Sequence, residues 1–134
     1  MTETFSGRCL CGAVRFSIDG LYQGPVACHC RECQRHSGSF WVAVTAERES
    51  VTITSDRLAW VSVSPTAWRE FCRDCGGYLF WQPVMGETID IALGAMDFAP
   101  AEAPALAAHI HVAEALLPVP EDGVPRFDGA LPEE

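Results

Sequence analysis

Residues 7–12 read Gly-Arg-Cys-Leu-Cys-Gly, and residues 69–76 read Arg-Glu-Phe-Cys-Arg-Asp-Cys-Gly. Each segment holds a pair of closely spaced cysteines followed directly by glycine, which lets the backbone turn tightly and aim its amide groups at sulfur. Zinc binds thiolate sulfur at about 2.3 Å in tetrahedral geometry, and four such sulfurs complete one site. The two segments therefore predict a closed, structural metal site that joins distant parts of the chain, with the ligands Cys9, Cys11, Cys72 and Cys75.

A third cysteine group lies between these pairs and contains Cys28, Cys30 and Cys33. Three sulfurs within six residues cover one face of a tetrahedron and leave one direction open. Catalytic zinc typically keeps three protein ligands and one exchangeable position, whereas structural zinc is closed. The alternative is a closed site of three cysteines and one histidine, for which His36 is a better placed candidate than His29. Both alternatives remain open from the sequence, and either one brings the expected total to two zinc ions.

Disulfide bonds are a poorer explanation of the seven cysteines. The number is odd, the close pairs would close loops too short to add stability, and the N-terminus does not resemble a secretion signal. With 49% hydrophobic residues, a chain of 134 residues has enough apolar material for a core without covalent cross-links.

The net charge is −9, and all nine basic residues are arginines. Such a chain lacks the concentrated positive surface that nucleic-acid binding requires. Apolar runs do not approach the roughly 18 residues of a membrane helix. We therefore expect a soluble, cytoplasmic protein without a nucleic-acid or membrane partner.

Several arginines lie close in sequence to the cysteines. Three of them, Arg31, Arg35 and Arg69, are candidates for contact with a bound ligand. One explanation is that the guanidinium groups offset the negative charge of metal-bound thiolates. The other is that they bind the carboxylates of an anionic ligand.

Short segments with alternating apolar residues predict a mainly β fold with few short helices. The predicted strands lie at 14–18, 40–44, 51–54, 58–63, 78–81 and 89–93. Helical signal is confined to a turn or two at 31–36 and to 101–108, which Pro104 interrupts. The alternation of residues 109–112 predicts an edge strand with both histidines on a solvated face, and a His-pair metal site is the alternative.

One domain is expected over residues 1–116. Residues 117–134 are rich in proline and acidic residues, so we expect an extended and partly mobile tail.

Three ordered cysteine motifs, together with Gly94-Ala95-Met96-Asp97 and His109-Ile110, resemble the family of glutathione-dependent formaldehyde-activating enzymes, which includes the centromere protein V domain. The resemblance covers about residues 5 to 112. It implies a Mss4-like fold of antiparallel sheets organised around zinc. It also implies that Cys9, Cys11, Cys72 and Cys75 hold a structural zinc, and that Cys28, Cys30 and Cys33 hold the zinc of the active site.

The activity implied by the resemblance is that of a carbon-sulfur lyase that interconverts S-hydroxymethylglutathione with glutathione and formaldehyde. The expected partners are thus a small thiol such as glutathione and an aldehyde. The alternative is a zinc-stabilised module that carries a thiol or docks a protein partner without catalysis. Members of the family often carry a tryptophan shortly after the histidine strand, where this chain has Leu116-Leu117-Pro118.

Overall fold

The computed structural model describes residues 3–132, apart from the side chain of Val63, so Glu133 and Glu134 of the predicted tail lie outside the described residues. It is mainly β, as predicted, with few short helices. The strands are β1 (Thr4–Arg8), β2 (Arg15–Asp19), β3 (Tyr22–Cys28), β4 (Trp41–Glu47), β5 (Val51–Thr54), β6 (Leu58–Ser64), β7 (Ala67–Cys72), β8 (Tyr78–Pro83), β9 (Thr88–Ala92) and β10 (Ala108–Ile110). The α-helix α1 spans Arg31–Ser37, and short 3-10 turns lie at Arg48–Ser50, Leu93–Ala95, Pro100–Glu102 and Val112–Glu114. Within residues 3–132, every helix is too short or too polar to cross a membrane.

The chain forms two compact units. The first unit contains Met1–Gln23 and Val44–Ala103, and the second contains Gly24–Ala43 and Pro104–Glu134. Strands β3 and β4 each begin in one unit and end in the other. This partition does not test the predicted division of the chain at residue 116, which stays a prediction.

Two sheets of antiparallel strands make up the first unit. The smaller sheet has the order β1-β2-β5, with Gly7 opposite Phe16 and Phe16 opposite Ile53. In the other sheet β9, β8, β7 and β6 follow one another, and the end of β4 lies beside β9. The alternation of β2 buries Phe16 and Ile18 while Arg15 stays exposed, as a strand with one core face requires.

The core of the first unit combines aliphatic and aromatic side chains with two cysteines. Phe16 and Phe80 meet edge to face with ring centroids 5.2 Å apart, a favourable aromatic geometry. Cys9 and Cys72 are buried among these apolar residues. The sulfur atoms of both residues are therefore part of the core as well as candidate ligands.

The second unit is built on a parallel pair of strands, which departs from the expected purely antiparallel arrangement. Strand β10 runs parallel to β3, with His109 opposite Ala27 and Ile110 opposite Cys28. Helix α1 follows β3 and ends at Gly38, whose φ of 91° is the left-handed conformation that favours glycine.

The expectation for residues 109–112 is wrong in one respect. Strand β10 is an edge strand, but it ends at Ile110, and His111 adopts a left-handed φ of 54°. His109 does not face solvent: its side chain is 2% exposed. The physical reason is that both of its ring nitrogens have polar partners inside the protein, which removes the cost of burial.

The described part of the C-terminal segment contains one bridge residue, Arg126, and otherwise bends and irregular backbone. Its expected extended and partly mobile character stays a prediction. Its backbone bonds to that of β10 and the turn after it. The His109 amide donates to the Pro125 carbonyl, and the Phe127 amide donates to the His109 carbonyl, both at 2.9 Å. Residues 125–129 thus line the outer side of β10.

Gly7 offers a test of the packing in the first unit. A Cβ atom at this position would clash with the Phe16 ring and lie 2.5 Å from the Ala95 carbonyl oxygen. We expect Gly7→Ala to lower the free energy of unfolding by about 1–3 kcal/mol, the usual cost of overpacking. Gly94→Ala is the control, because its Cβ would meet nothing within 4 Å. Urea unfolding of the metal-loaded variants measures both, and equal stabilities would contradict this account of Gly7.

Candidate functional site

Four cysteine sulfurs of the first unit converge on one point. The sulfur atoms of Cys9, Cys11, Cys72 and Cys75 all lie within 4.8 Å of one another. Cys11 Sγ is 3.7 Å from both Cys9 Sγ and Cys72 Sγ. A disulfide needs a separation of about 2.05 Å, whereas tetrahedral zinc at a bond length of about 2.3 Å spaces its sulfurs roughly 3.8 Å apart. The spacing therefore fits four ligands around one metal ion, as the sequence predicted.

Two tight backbone turns bring these sulfurs together. In the first, the Gly12 amide donates to the Cys9 carbonyl at 3.2 Å, and in the second the Gly76 amide donates to the Cys72 carbonyl at 2.8 Å. Both glycines have positive φ, 82° and 76°, which a side chain would strain. The glycine that follows each cysteine pair thus has the conformational role expected of it.

Backbone amides stabilise the ionised form of the sulfurs in these turns. The Val14 amide donates to Cys9 Sγ at 3.3 Å. Amide groups of Cys11 and Gly77 lower the pKa of Cys75 to about 6. Cys11 differs: the Ala13 amide lowers its pKa, but desolvation and the three neighbouring sulfurs raise it further, to about 11. A metal ion would therefore be needed to hold all four sulfurs as thiolates.

Cys28, Cys30 and Cys33 form the second cluster, with sulfur atoms also within 4.8 Å of one another. Three different local structures supply them: Cys28 ends β3, Cys30 caps α1, and Cys33 lies in the first turn of the helix. The Cys33 amide donates to Cys30 Sγ at 3.4 Å. Within residues 3–132, neither a histidine nor a carboxylate joins the three sulfurs in this cluster. The three sulfurs could hold one metal and leave a direction for another ligand.

The three thiols cannot readily ionise together without a cation. The sulfurs of Cys30 and Cys33, followed by burial, raise the pKa of Cys28 well above its usual value. A positive ion at the centre reverses this effect, because it stabilises all three thiolates at once. The chemistry of the donor set therefore fits a soft divalent metal such as zinc.

The second unit also contains a pocket of about 350 Å³, and its lining combines charged, polar and apolar residues but none of the three cysteines. The lining residues are His29, Arg31, Gln34, Arg35, Gly38, Ser39, Phe40, Leu116 and Leu117. In sequence, His29 lies between Cys28 and Cys30, and Arg31 directly follows Cys30. The same segment of the chain therefore supplies part of the pocket lining and part of the cysteine cluster.

A hydrogen-bond network holds the α1 side of the pocket in place. The Arg31 guanidinium donates to the Gln34 side-chain oxygen, and the Arg31 amide donates to Glu114 Oε1 at 3.1 Å. Gln34 Nε2 in turn donates to the carbonyl oxygens of His29 and Glu114. Sequence reasoning missed the roles of Gln34 and Glu114, because these contacts join residues up to 83 positions apart.

His29 is buried, and its ring is fixed on two sides. Phe40 stacks against it with ring centroids 4.9 Å apart, and its Nε2 lies 3.0 Å from His109 Nδ1. Burial lowers the pKa of His29, and the nearby His109 and Arg126 lower it further. These surroundings favour the neutral ring. His29 is not among the residues whose donor atoms converge at the three-sulfur cluster.

The three arginines considered from the sequence occupy different surroundings. Arg31 and Arg35 line the pocket. Arg69 belongs to the first unit, is 4% exposed, and donates from Nη1 to the Tyr78 hydroxyl at 2.9 Å. Contact of Arg69 with a substrate carboxylate stays a prediction.

The chain matches the family model described as "Glutathione-dependent formaldehyde-activating enzyme" over residues 4–114. A crystal structure of a Rhodobacter sphaeroides protein is similar in fold, with a TM-score of 0.59 and 22% sequence identity over 75% of this chain and 96% of that chain. No curated protein matches the chain.

The two clusters should respond differently to loss of one sulfur. We expect Cys72→Ser to unfold or aggregate the protein, because the fully buried Cys72 belongs to both the core and the four-sulfur site. Cys30→Ser should lower the melting temperature by no more than about 5 °C while the metal content falls by one ion. Thermal melts with metal analysis measure both effects. If Cys30→Ser melts as early as Cys72→Ser, the three-sulfur cluster is structural.

Proposed function

Because the chain belongs to the family of glutathione-dependent formaldehyde-activating enzymes, we propose that it is a zinc-dependent carbon-sulfur lyase acting on the adduct of a thiol and an aldehyde. The reaction is the interconversion of S-hydroxymethylglutathione with glutathione and formaldehyde. The observation that carries this proposal is the cluster of three sulfurs, together with a pocket to which the same segment of chain contributes His29, Arg31 and Arg35.

Zinc is the metal proposed for both clusters. Cys9, Cys11, Cys72 and Cys75 would hold the structural ion, and Cys28, Cys30 and Cys33 the ion of the active site. Sulfur ligands at this spacing suit zinc, which is soft enough for thiolates and has no redox chemistry. At the three-sulfur site a zinc ion would supply an open position for the substrate sulfur and lower the pKa of a thiol.

The pocket offers matching groups for a thiol peptide such as glutathione. Glutathione carries two carboxylates, and the guanidinium groups of Arg31 and Arg35 present planar pairs of donors that suit a carboxylate. Phe40, Leu116 and Leu117 supply the apolar part of the wall. All three side chains are exposed to solvent, so they offer apolar surface that a bound ligand could cover.

The chain's own residues can account for the proton that the reaction moves. In the cleavage direction the hydroxyl of the adduct loses its proton, the carbon-sulfur bond breaks, formaldehyde leaves, and sulfur keeps the electron pair. His29 lines the pocket as a neutral ring and is suited to accept a hydrogen bond from this hydroxyl. No nucleophile from the protein is needed, because the substrate thiol itself attacks the aldehyde in the reverse direction.

Catalysis separates this proposal from a thiol carrier or protein-interaction module. Thiols and aldehydes combine without a catalyst, so the enzymatic rate must be compared with the spontaneous one. NMR exchange between free and thiol-bound formaldehyde measures both rates in one sample. We expect the zinc-loaded protein to accelerate exchange and Cys30→Ser to abolish the acceleration. If wild type exchanges no faster than buffer but still binds glutathione, the protein is a carrier.

Thiol binding at the open position can be observed directly with cobalt in place of zinc. We expect glutathione to change the visible spectrum of the cobalt-loaded protein, because a fourth sulfur joins the metal. S-Methylglutathione is the matched control, since it keeps both carboxylates but has no ionisable thiol. Affinity should rise with pH toward the pKa of the thiol, because binding releases a proton. An unchanged spectrum at saturating glutathione would mean that another group, such as His36, occupies the position.

A further inference from the structure

A chain of three polar side chains in the second unit leads from the C-terminal segment to the pocket. Asp122 Oδ2 lies 2.8 Å from His109 Nε2, and His109 Nδ1 lies 3.0 Å from His29 Nε2. His109 is 2% exposed and His29 4%, whereas the Asp122 side chain is 31% exposed. This series of side chains therefore begins with the partly exposed Asp122, continues through the buried His109 and ends at His29, which lines the pocket.

The direction of each hydrogen bond follows from the carboxylate. The hydrogen bond from His109 and the Val124 amide lower the pKa of Asp122, so its side chain is an ionised acceptor at neutral pH. An ionised carboxylate only accepts, so His109 must donate from Nε2. In a neutral His109 ring, Nδ1 then carries no proton and accepts from His29 Nε2. In a neutral His29 ring that donates from Nε2, Nδ1 carries no proton and can accept.

We propose that Asp122 is a positioning residue of the site: through His109 it fixes the proton of His29 on Nε2, so that Nδ1 is presented as a hydrogen-bond acceptor to a hydroxyl group in the pocket. The hydroxyl identified here is that of the thiol–aldehyde adduct, and this part of the inference rests on the proposed function. The tautomer does not rest on it, because it is argued from the contacts of Asp122, His109 and His29 with both rings in their neutral form.

Backbone contacts hold the side chains of His109 and Asp122 in position relative to each other. His109 is held on one side by its parallel pairing with β3 and on the other by bonds to Pro125 and Phe127. The Val124 amide donates to Asp122 Oδ1 at 3.0 Å and so orients the carboxylate. The same network that joins the C-terminal segment to β10 therefore places Asp122 opposite the ring of His109.

Asp122→Asn is an informative substitution, because the amide keeps the shape of the carboxylate but replaces one acceptor by a donor. The Val124 amide requires an acceptor, so the amide oxygen of asparagine takes the place of Oδ1 and its NH₂ group faces His109 Nε2. Nε2 of His109 must then accept, its Nδ1 donates to His29 Nε2, and the His29 proton moves to Nδ1. The tautomers of both rings are reversed.

The tautomers can be read from ¹⁵N NMR spectra of the zinc-loaded, ligand-free protein, with His36→Gln and His111→Gln used for assignment. We expect wild type to carry the proton on Nε2 of both His29 and His109, and Asp122→Asn to carry it on Nδ1 of both. Asp122→Ala, which offers neither donor nor acceptor, should give mixed tautomers. A merely structural role would make Asn and Ala alike. A wild-type proton on His29 Nδ1, or tautomers unchanged by Asp122→Asn, would overturn the inference.

A second measurement tests the consequence for the reaction. Asp122→Asn should lower kcat/KM for the hydroxymethyl adduct by about tenfold, the loss expected when one hydrogen bond to substrate is replaced by a mismatch. Binding of glutathione alone to the cobalt-loaded variant should be unchanged, because the free thiol lacks the hydroxyl. Glu121→Gln is the matched control, since it removes the neighbouring charge from an exposed residue, and it should leave both quantities at wild-type values. Reversed tautomers with unchanged kcat/KM would refute the link to the substrate hydroxyl, whereas a wild type without turnover would instead refute the proposed function.

Discussion

The meeting of four sulfurs from two distant pairs is the constraint on which the first unit depends. Cys9 and Cys72 are 63 residues apart in sequence, and bringing them together costs chain entropy that grows slowly with loop length. Because both are buried in the core, the sulfurs that could bind a metal also take part in packing. An ion at this point would hold the end of β1 to the turn between β7 and β8, so its binding energy would become folding energy. The link would close a loop of chain that contains all the strands between the two cysteine pairs.

The second unit uses sulfur in a different way, because its cluster is incomplete. Three ligands come from one short segment, so this cluster closes no long loop and adds little to the connection of distant strands. It lies instead between the end of β3 and the first turn of α1, in the segment that also contributes His29 and Arg31 to the lining of a pocket. A metal held by four sulfurs would be fully coordinated and structural. A metal held by three sulfurs would keep one position for a substrate.

Local spacing predicts the parts of this protein that depend on neighbours in sequence. Residue type and period predict both cysteine clusters, most of the strands and the short helix that contains Cys33. Strand β3 escapes such reasoning because Gly24-Pro25 interrupts its pattern. His109 also escapes it, because alternation tells which residues share a face and not whether a distant partner covers that face. The partner is Asp122, in a segment whose prolines and acids indicate only extended chain.

The C-terminal segment therefore has more than a connecting role. The family model matches residues 4–114, so His29 and His109 lie inside the matched region and Asp122 lies beyond it. Membership of the family thus carries information about the two histidines but none about the carboxylate that orients them. A chain can keep the sulfur cluster and both rings and still differ in the group that faces His109 Nε2. Because that group decides which ring nitrogen of His29 accepts in the pocket, the hydrogen-bonding character of the site is set from outside the part of the sequence by which the family is recognised.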